Sequence, residues 1–146
     1  MLSGPNLDRL GRREPAIYGS TTLFEVHRRL EVIAGAREAQ LECKQSNHEG
    51  ALIDSISAAA DQGFAGILIN AGSLTHTSYA LYDALRGADL PVVEVHVSNP
   101  DARESFRRRS VIAPACTARV AGFGAASYDL ALNGLLDLLD AREKSK

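Results

Sequence analysis

The chain is poor in cysteine and has no long hydrophobic run, and each absence removes a class of function. Its two cysteines, Cys43 and Cys116, form no CxxC pair and match no metal-ligand spacing, so both are expected to be free and mostly structural thiols. No apolar stretch approaches the roughly 18 residues of a membrane span, and no signal segment is visible at the amino end. A cytoplasmic protein with no membrane partner is therefore expected. Neither sign of charge is in excess: 16 Lys plus Arg face 18 Asp plus Glu, a formal net charge of −2. Bulk electrostatics thus call for neither nucleic acid nor anionic lipid. The GxGxxG and GxxxxGK[ST] phosphate loops are absent as well, and no set of His, Cys and carboxylate residues stands at a known metal spacing.

What is present is an ordinary globular composition, 45% hydrophobic and 23% charged over 146 residues, which suits a single domain, 1–146, with one proper core. Thr22 and Glu25 form a capping box, and Leu23, Val26, Leu30, Ile33 and Ala34 recur at helical spacing to about residue 36. Leu41 to Gln45 reads as a short strand. Gly50 to Gln62 carries Leu52, Ile53, Ile56, Ala59 and Ala60 on one helical face, with Gly63 as its stop. Ala65 to Asn70 holds the unbroken run Ile67, Leu68, Ile69, as expected of a strand covered on both faces.

Ser78 to Gly87 is predicted helical, Pro91 to Val97 is another buried strand, and Ala118 to Phe123 is the last strand after an irregular basic stretch. A closing helix runs from about Ser127 to Ala141, with Leu132, Leu135, Leu136 and Leu139 inward and Asp129, Asp137 and Asp140 outward. Strands alternating with helices imply right-handed crossovers. The expected fold is α/β: a flavodoxin-like three-layer sandwich around a five-stranded parallel sheet. In such sheets the ligand lies beyond the carboxyl ends of the strands, near the point where strand order reverses.

Two groups of residues stand out against that frame. The first is the polar loop from Leu2 to Gly19, which ends on Tyr18 and carries Arg9, Arg12 and Arg13; loops of this length in compact domains are more often functional than idle. A phenol titrates near pH 10, so about one in a thousand is ionised at neutral pH, and nearby guanidinium groups raise that fraction. Tyr18 is thus a candidate general base, the alternative being a packed anchor for the loop.

The second group is the polar strand ends. Asn6 follows the first strand, Asn70 to His76 the third, and Glu94 to Asn99 the fourth. Glu94 and His96 point to one side of their strand, and a carboxylate beside an imidazole orients it and favours its protonated form, as a general acid requires. A structural histidine is the plainer reading. His76 lies among helix-capping hydroxyls, Ser98 and Asn99 can bind a carboxylate, and Asp83 reads as a solvated helix residue. In the basic run Arg103 to Arg109, one inward arginine binding substrate oxygens is favoured over a solvated charge run or a nucleic-acid patch.

Five segments in order then resemble the type II 3-dehydroquinate dehydratases: Gly4-Pro5-Asn6-Leu7; Leu10, Gly11, Arg13, Glu14, Pro15, Tyr18 and Gly19; Gln45-Ser46-Asn47 with Glu49 and Gly50; Asn70, Gly72 and Leu74 to Ser78; and Glu94 to His96 with Ser98, Asn99, Arg103, Glu104, Phe106 and Arg107. The resemblance implies a hydro-lyase needing no cofactor or metal, which converts 3-dehydroquinate to 3-dehydroshikimate by anti elimination through an enol or enolate. It implies a homo-oligomer, a dodecamer of four trimers, serving aromatic biosynthesis or quinate breakdown. Tyr18 would be the base, Arg13 the arginine favouring its phenolate on a lid at about 9–20, Asn6 the holder of a water at the enolate oxygen, and His96, oriented by Glu94, the acid. Asn70, Val97 (through its backbone amide) and Ser98 would bind the substrate carboxylate, His76 and Arg107 its hydroxyls, and Asp83 would reach a neighbouring subunit's site. Arg108 would add positive potential near Tyr18.

Three departures from that pattern carry expectations. Met1 and Leu2 stand where several apolar residues are usual, predicting a truncated first strand. Ser3 replaces a usual asparagine. Ser73 replaces a usual glycine and would restrict a turn or crowd the carboxylate pocket. The rivals on the same fold are another small-molecule enzyme, a flavin protein, or a signalling module, the last needing clustered acidic residues at the strand ends.

Overall fold

The computed structural model describes residues 1–12 and 14–145. Strands β1 (Leu2–Ser3), β2 (Lys44–Gln45), β3 (Ile67–Asn70), β4 (Val92–His96) and β5 (Ala118–Ala121) form one sheet of parallel pairs in the order β2-β1-β3-β4-β5. This is the flavodoxin-like order, which reverses at β1 and so places a crevice beyond the ends of β1 and β3.

The first strand is central and short, pairing Leu2 with Lys44 and Ile69, and Ser3 with Gln45 and Asn70. It also explains why β2 begins at Lys44 rather than at Leu41. An edge strand can ladder only against its one neighbour, and β1 offers two residues. Below that ladder the Met1 ammonium donates to the Glu42 carbonyl oxygen at 2.7 Å.

Helices α1 (Pro15–Tyr18), α2 (Leu23–Ala36), α3 (Glu49–Asp61), α4 (Tyr79–Ala88) and α5 (Ala126–Glu143) complete the fold. Period-two alternation splits the strand residues between two cores. Leu68, Val93 and Val95 face α2 and α5 with Val26, Leu30, Leu132 and Leu135; Ile67, Ile69 and Val92 face α3 and α4 with Leu52, Ile56, Leu81 and Leu85. The expected capping box starts α2, with Thr22 N–H donating to Glu25 Oε2 at 2.7 Å and Glu25 N–H to Thr22 Oγ1 at 3.2 Å. Ser78 caps α4 by accepting from Leu81 N–H at 2.9 Å.

Several expectations need correction. The Leu2–Gly19 segment is not a continuous loop, since it contains a 3-10 turn at Leu7–Arg9 and the short α1 that ends on Tyr18. Asp129 does not simply face water: it accepts from Arg29 Nε at 2.7 Å and ties α5 to α2. Arg37 similarly reaches Asp137 and Asp140 at 2.9 and 2.7 Å. Cys43 and Cys116 are free thiols, and burial pushes both up, Cys116 to about 12, which keeps them protonated at neutral pH. Among the described residues no helix is long and apolar enough to cross a membrane.

Candidate active site

At the carboxyl ends of β1, β3 and β4 lies a cleft of about 160 Å³, lined among others by Asn6, Tyr18, Asn70, His76, His96, Val97, Ser98, Arg103 and Arg107. Its floor depends on close backbone approach. Gly4 passes so near β3 that a Cβ there would stand 2.4 Å from the Ala71 carbonyl oxygen, while Gly4 N–H donates to Asn70 O at 2.7 Å. Only glycine fits that contact. The chain then turns through Asn6, whose left-handed φ of 66° is held by its N–H donating to Asn47 Oδ1 at 2.8 Å. Gln45 Nε2 braces the same turn from β2, donating to Gly4 O at 3.2 Å and to Asn47 Oδ1 at 3.1 Å.

The third strand end delivers Asn70 and His76. Asn70 is buried, with Nδ2 donating to the Tyr128 hydroxyl at 2.8 Å and Oδ1 accepting from Gly72 N–H at 3.1 Å. Tyr128 is itself fully buried, and that burial pushes its phenol up to about 12, so it stays a neutral partner. His76 Nδ1 lies 2.8 Å from the Arg109 carbonyl oxygen, which can only accept. The proton is therefore on Nδ1, leaving Nε2 as an acceptor. Burial lowers the pKa of His76, with His96 and Arg107 adding to that effect and the bond to Arg109 opposing it; the ring is neutral at pH 7. Ser73 occupies the Gly72–His76 turn with an ordinary negative φ, so serine strains nothing there.

The fourth strand end carries the couple expected from the alternation. His96 Nε2 and Glu94 Oε1 are 2.5 Å apart, with Glu94 fully buried. Ser110 Oγ donates to Glu94 Oε2 at 2.9 Å, and Arg119 Nε stands 3.5 Å from Oε1. With Nε2 engaged, Nδ1 is the imidazole nitrogen left for a ligand.

Tyr18 also lines the cleft. Arg103 Nη1 donates to its hydroxyl at 2.5 Å, and the guanidinium carbon stands 5.2 Å from the ring centroid. The same Nη1 is 3.4 Å from Ser98 Oγ. Burial works against the Arg103 charge, but the Tyr18 bond and the potential of Tyr18, Glu104 and Glu14 outweigh it and raise its pKa. Arg107 stacks on Phe106 with its guanidinium carbon 4.7 Å from the ring, and donates to Glu104 at 2.8 Å.

Not every expected residue is in this cleft. Arg13 lies outside the described residues. Asp83 is exposed on α4 and does not line the cleft of its own chain. Arg108 is exposed, and among the described residues the arginine that contacts Tyr18 is Arg103, which the sequence marked as one member of the basic run and of a motif. Tyr128, Ser110 and Arg119 were missed altogether; the one available signal was Tyr128 in helical register with Leu132 and Leu135. Among the described residues no group of three or more His, Cys, Asp or Glu is placed to hold a metal ion.

Such a cleft brings a phenol bonded to a guanidinium and an imidazole bonded to a carboxylate into one lining. The chain matches the family model described as dehydroquinase class II over residues 1–136. It is 50% identical over 140 residues to the 3-dehydroquinate dehydratase of Deinococcus radiodurans, an alignment spanning 96% of this chain and 98% of that one. With the 3-dehydroquinate dehydratase of Prochlorococcus marinus it shares 56% identity over 136 residues, or 93% and 91% of the two chains. The crystal structure of the type II dehydroquinase from Butyrivibrio crossotus superimposes with a TM-score of 0.90 at 41% identity, covering 92% of this chain and 93% of that one.

Proposed function

The chain belongs to the class II dehydroquinase family, and from that premise we propose that it removes water from 3-dehydroquinate to give 3-dehydroshikimate, by anti elimination through an enol or enolate. The observation that carries the reading is the single cleft lined by both the Arg103-bonded Tyr18 and the Glu94-bonded His96.

Elimination next to a ketone needs a base for the carbon acid, a way to hold negative charge on the carbonyl oxygen, and an acid for the departing hydroxyl. Tyr18 is the base, taking the proton from the carbon beside the ketone. The guanidinium of Arg103 donates to its hydroxyl, and the family resemblance gives the role of favouring the phenolate to Arg13. Asn6 holds a water at the developing enolate oxygen. His96, oriented by Glu94, protonates the hydroxyl on the carbon β to the ketone, which leaves as water. The carboxylate of the substrate is met by Asn70, Ser98 and the Val97 amide, and its hydroxyls by His76 and Arg107.

Closure belongs to this proposal. The segment at about 9–20 is a lid within a single catalytic domain, and Gly11 and Gly19, with φ of 84° and 76°, bracket it with backbone that can turn. The active assembly is a cytoplasmic dodecamer of trimers in which Asp83 reaches a neighbour's cleft, acting in the shikimate pathway or in quinate breakdown. One assay tests the core of the reading: incubation with 3-dehydroquinate should produce a rise in ultraviolet enone absorbance. An enzyme that leaves the substrate unchanged would overturn it.

A further inference from the structure

Glu94 has three partners drawn from three parts of the fold. Oε1 meets His96 Nε2 at 2.5 Å on its own strand and Arg119 Nε at 3.5 Å on β5, while Oε2 accepts from Ser110 at 2.9 Å. Arg119 is the residue opposite Glu94 in the parallel register of β4 and β5, and it does not line the cleft. A carboxylate with no solvent exposure needs a counter-charge to offset its lost hydration. His96 supplies one only while it is protonated, and the role proposed for it is to give that proton away.

We propose that Arg119 is a positioning residue for the proposed acid: its fixed charge faces the Glu94 carboxylate throughout the proton transfer and competes with His96 for Oε1. The inference rests on the reading of His96 as the acid. A guanidinium does not deprotonate in a protein, so its charge is present before and after the transfer. It shares Oε1 with His96, which weakens the carboxylate's hold on the imidazolium, and its own charge repels that of the ring. Both effects push the proton outward. In the step itself the proton passes from His96 Nδ1 to the departing hydroxyl, forming water and neutral imidazole, and Glu94 remains a carboxylate facing Arg119.

The other groups near the couple do not replace Arg119. His76, on the Gly72–His76 turn, is neutral through burial. Arg107, on the Ser105–Arg107 turn, is bonded to Glu104. Cys116 is a protonated thiol, its pKa pushed up to about 12. The β3 neighbour of Glu94 is the apolar Ile69. Arg103 is bonded to Tyr18.

The test follows the imidazole NMR signals of the ligand-free protein through a pH titration, in wild type, Arg119→Gln and Arg119→Lys, with His96 assigned by its loss in His96→Asn. The His96 midpoint should rise by about half a pH unit or more in Arg119→Gln. It should stay near the wild-type position in Arg119→Lys, which keeps the charge. Turnover should fall about tenfold in Arg119→Gln with KM changed by less than about twofold, and lysine should restore most of it. An unmoved midpoint in Arg119→Gln overturns the inference even if turnover falls, because a packing role alone would leave that midpoint in place. If Arg119→Gln does not fold, Arg119→Met carries the same comparison. Wild-type enzyme inert toward 3-dehydroquinate would sink the functional reading instead, and the titration would still decide what Arg119 does to His96.

Discussion

Arg103 Nη1 donates to the Tyr18 hydroxyl at 2.5 Å while its guanidinium lies over the same ring, so one side chain supplies both a bond and a charge to the proposed base. Replacing it removes both. We expect Arg103→Ala to lower kcat about 100-fold with a smaller change in KM, because the interaction grows as negative charge develops on the phenol oxygen. Arg103→Lys keeps the charge but not the planar fork and should recover only part of the loss. Steady-state kinetics on the two variants decide the point, and equal activity in alanine and wild-type enzymes would remove Arg103 from the base.

Tyr18→Phe deletes the hydroxyl and nothing else. The variant should fold and assemble as wild type, judged by circular dichroism and sedimentation, while turnover drops about 1,000-fold. Near-normal turnover would mean that another group takes the proton.

How much of this was legible depended on how local the cause was. The capping box of α2, the buried run of β3 and the shared side of Glu94 and His96 follow from residues within a few positions of one another, and the structure places each of them as the sequence implied. The start of β2 did not follow, because it is set by the length of β1, its only neighbour in the sheet. Arg103 was one of several arginines in a run, and its choice of Tyr18 is a contact between residues 85 apart in sequence. Asp129 looked solvated for the same reason, its partner Arg29 being 100 residues away. Tyr128 was hidden differently: it supports Asn70 from beneath the cleft, and a core tyrosine on an apolar helix face gives no sign of which polar group it meets.

That support makes Tyr128 separable from the chemistry. In Tyr128→Phe the Asn70 Nδ2 group loses the hydroxyl it donates to, which should destabilise the fold by about 1–3 kcal/mol in urea denaturation. With its amide less firmly held, Asn70 should bind the substrate carboxylate more weakly, raising KM about tenfold and leaving kcat within about threefold of wild type. A stability loss with unchanged KM would confine Tyr128 to packing.

Asp83 points to a test of assembly. It is exposed on α4 in the single chain, and in the proposed assembly it would reach a neighbour's cleft. Asp83→Ala should raise KM or shift the oligomer distribution toward smaller species, read by kinetics and sedimentation on the same sample. Indifference in both would argue against a shared site.

The last prediction concerns pH and lies outside the cleft. His27, on α2, is half-buried, its Nε2 has no hydrogen-bond partner among the described residues, and its pKa is lowered from 6.5, chiefly by burial and secondarily by the Met1 ammonium, with Glu31 opposing. Because the folded value is the lower one, the unfolded chain binds the proton more readily through the interval between the two. Stability from this group is therefore fully present above about pH 6.5 and is lost as pH falls toward the folded value. His76 acts in the same direction, its pKa being lowered by burial as well. His27→Leu removes one of the two contributions and fills the same space with apolar atoms. Urea midpoints should therefore match or exceed wild type at pH 7.5, and the decline between about pH 7 and pH 5 should be shallower in the variant. A decline as steep as in wild type would show that His27 takes up its proton without cost to the fold.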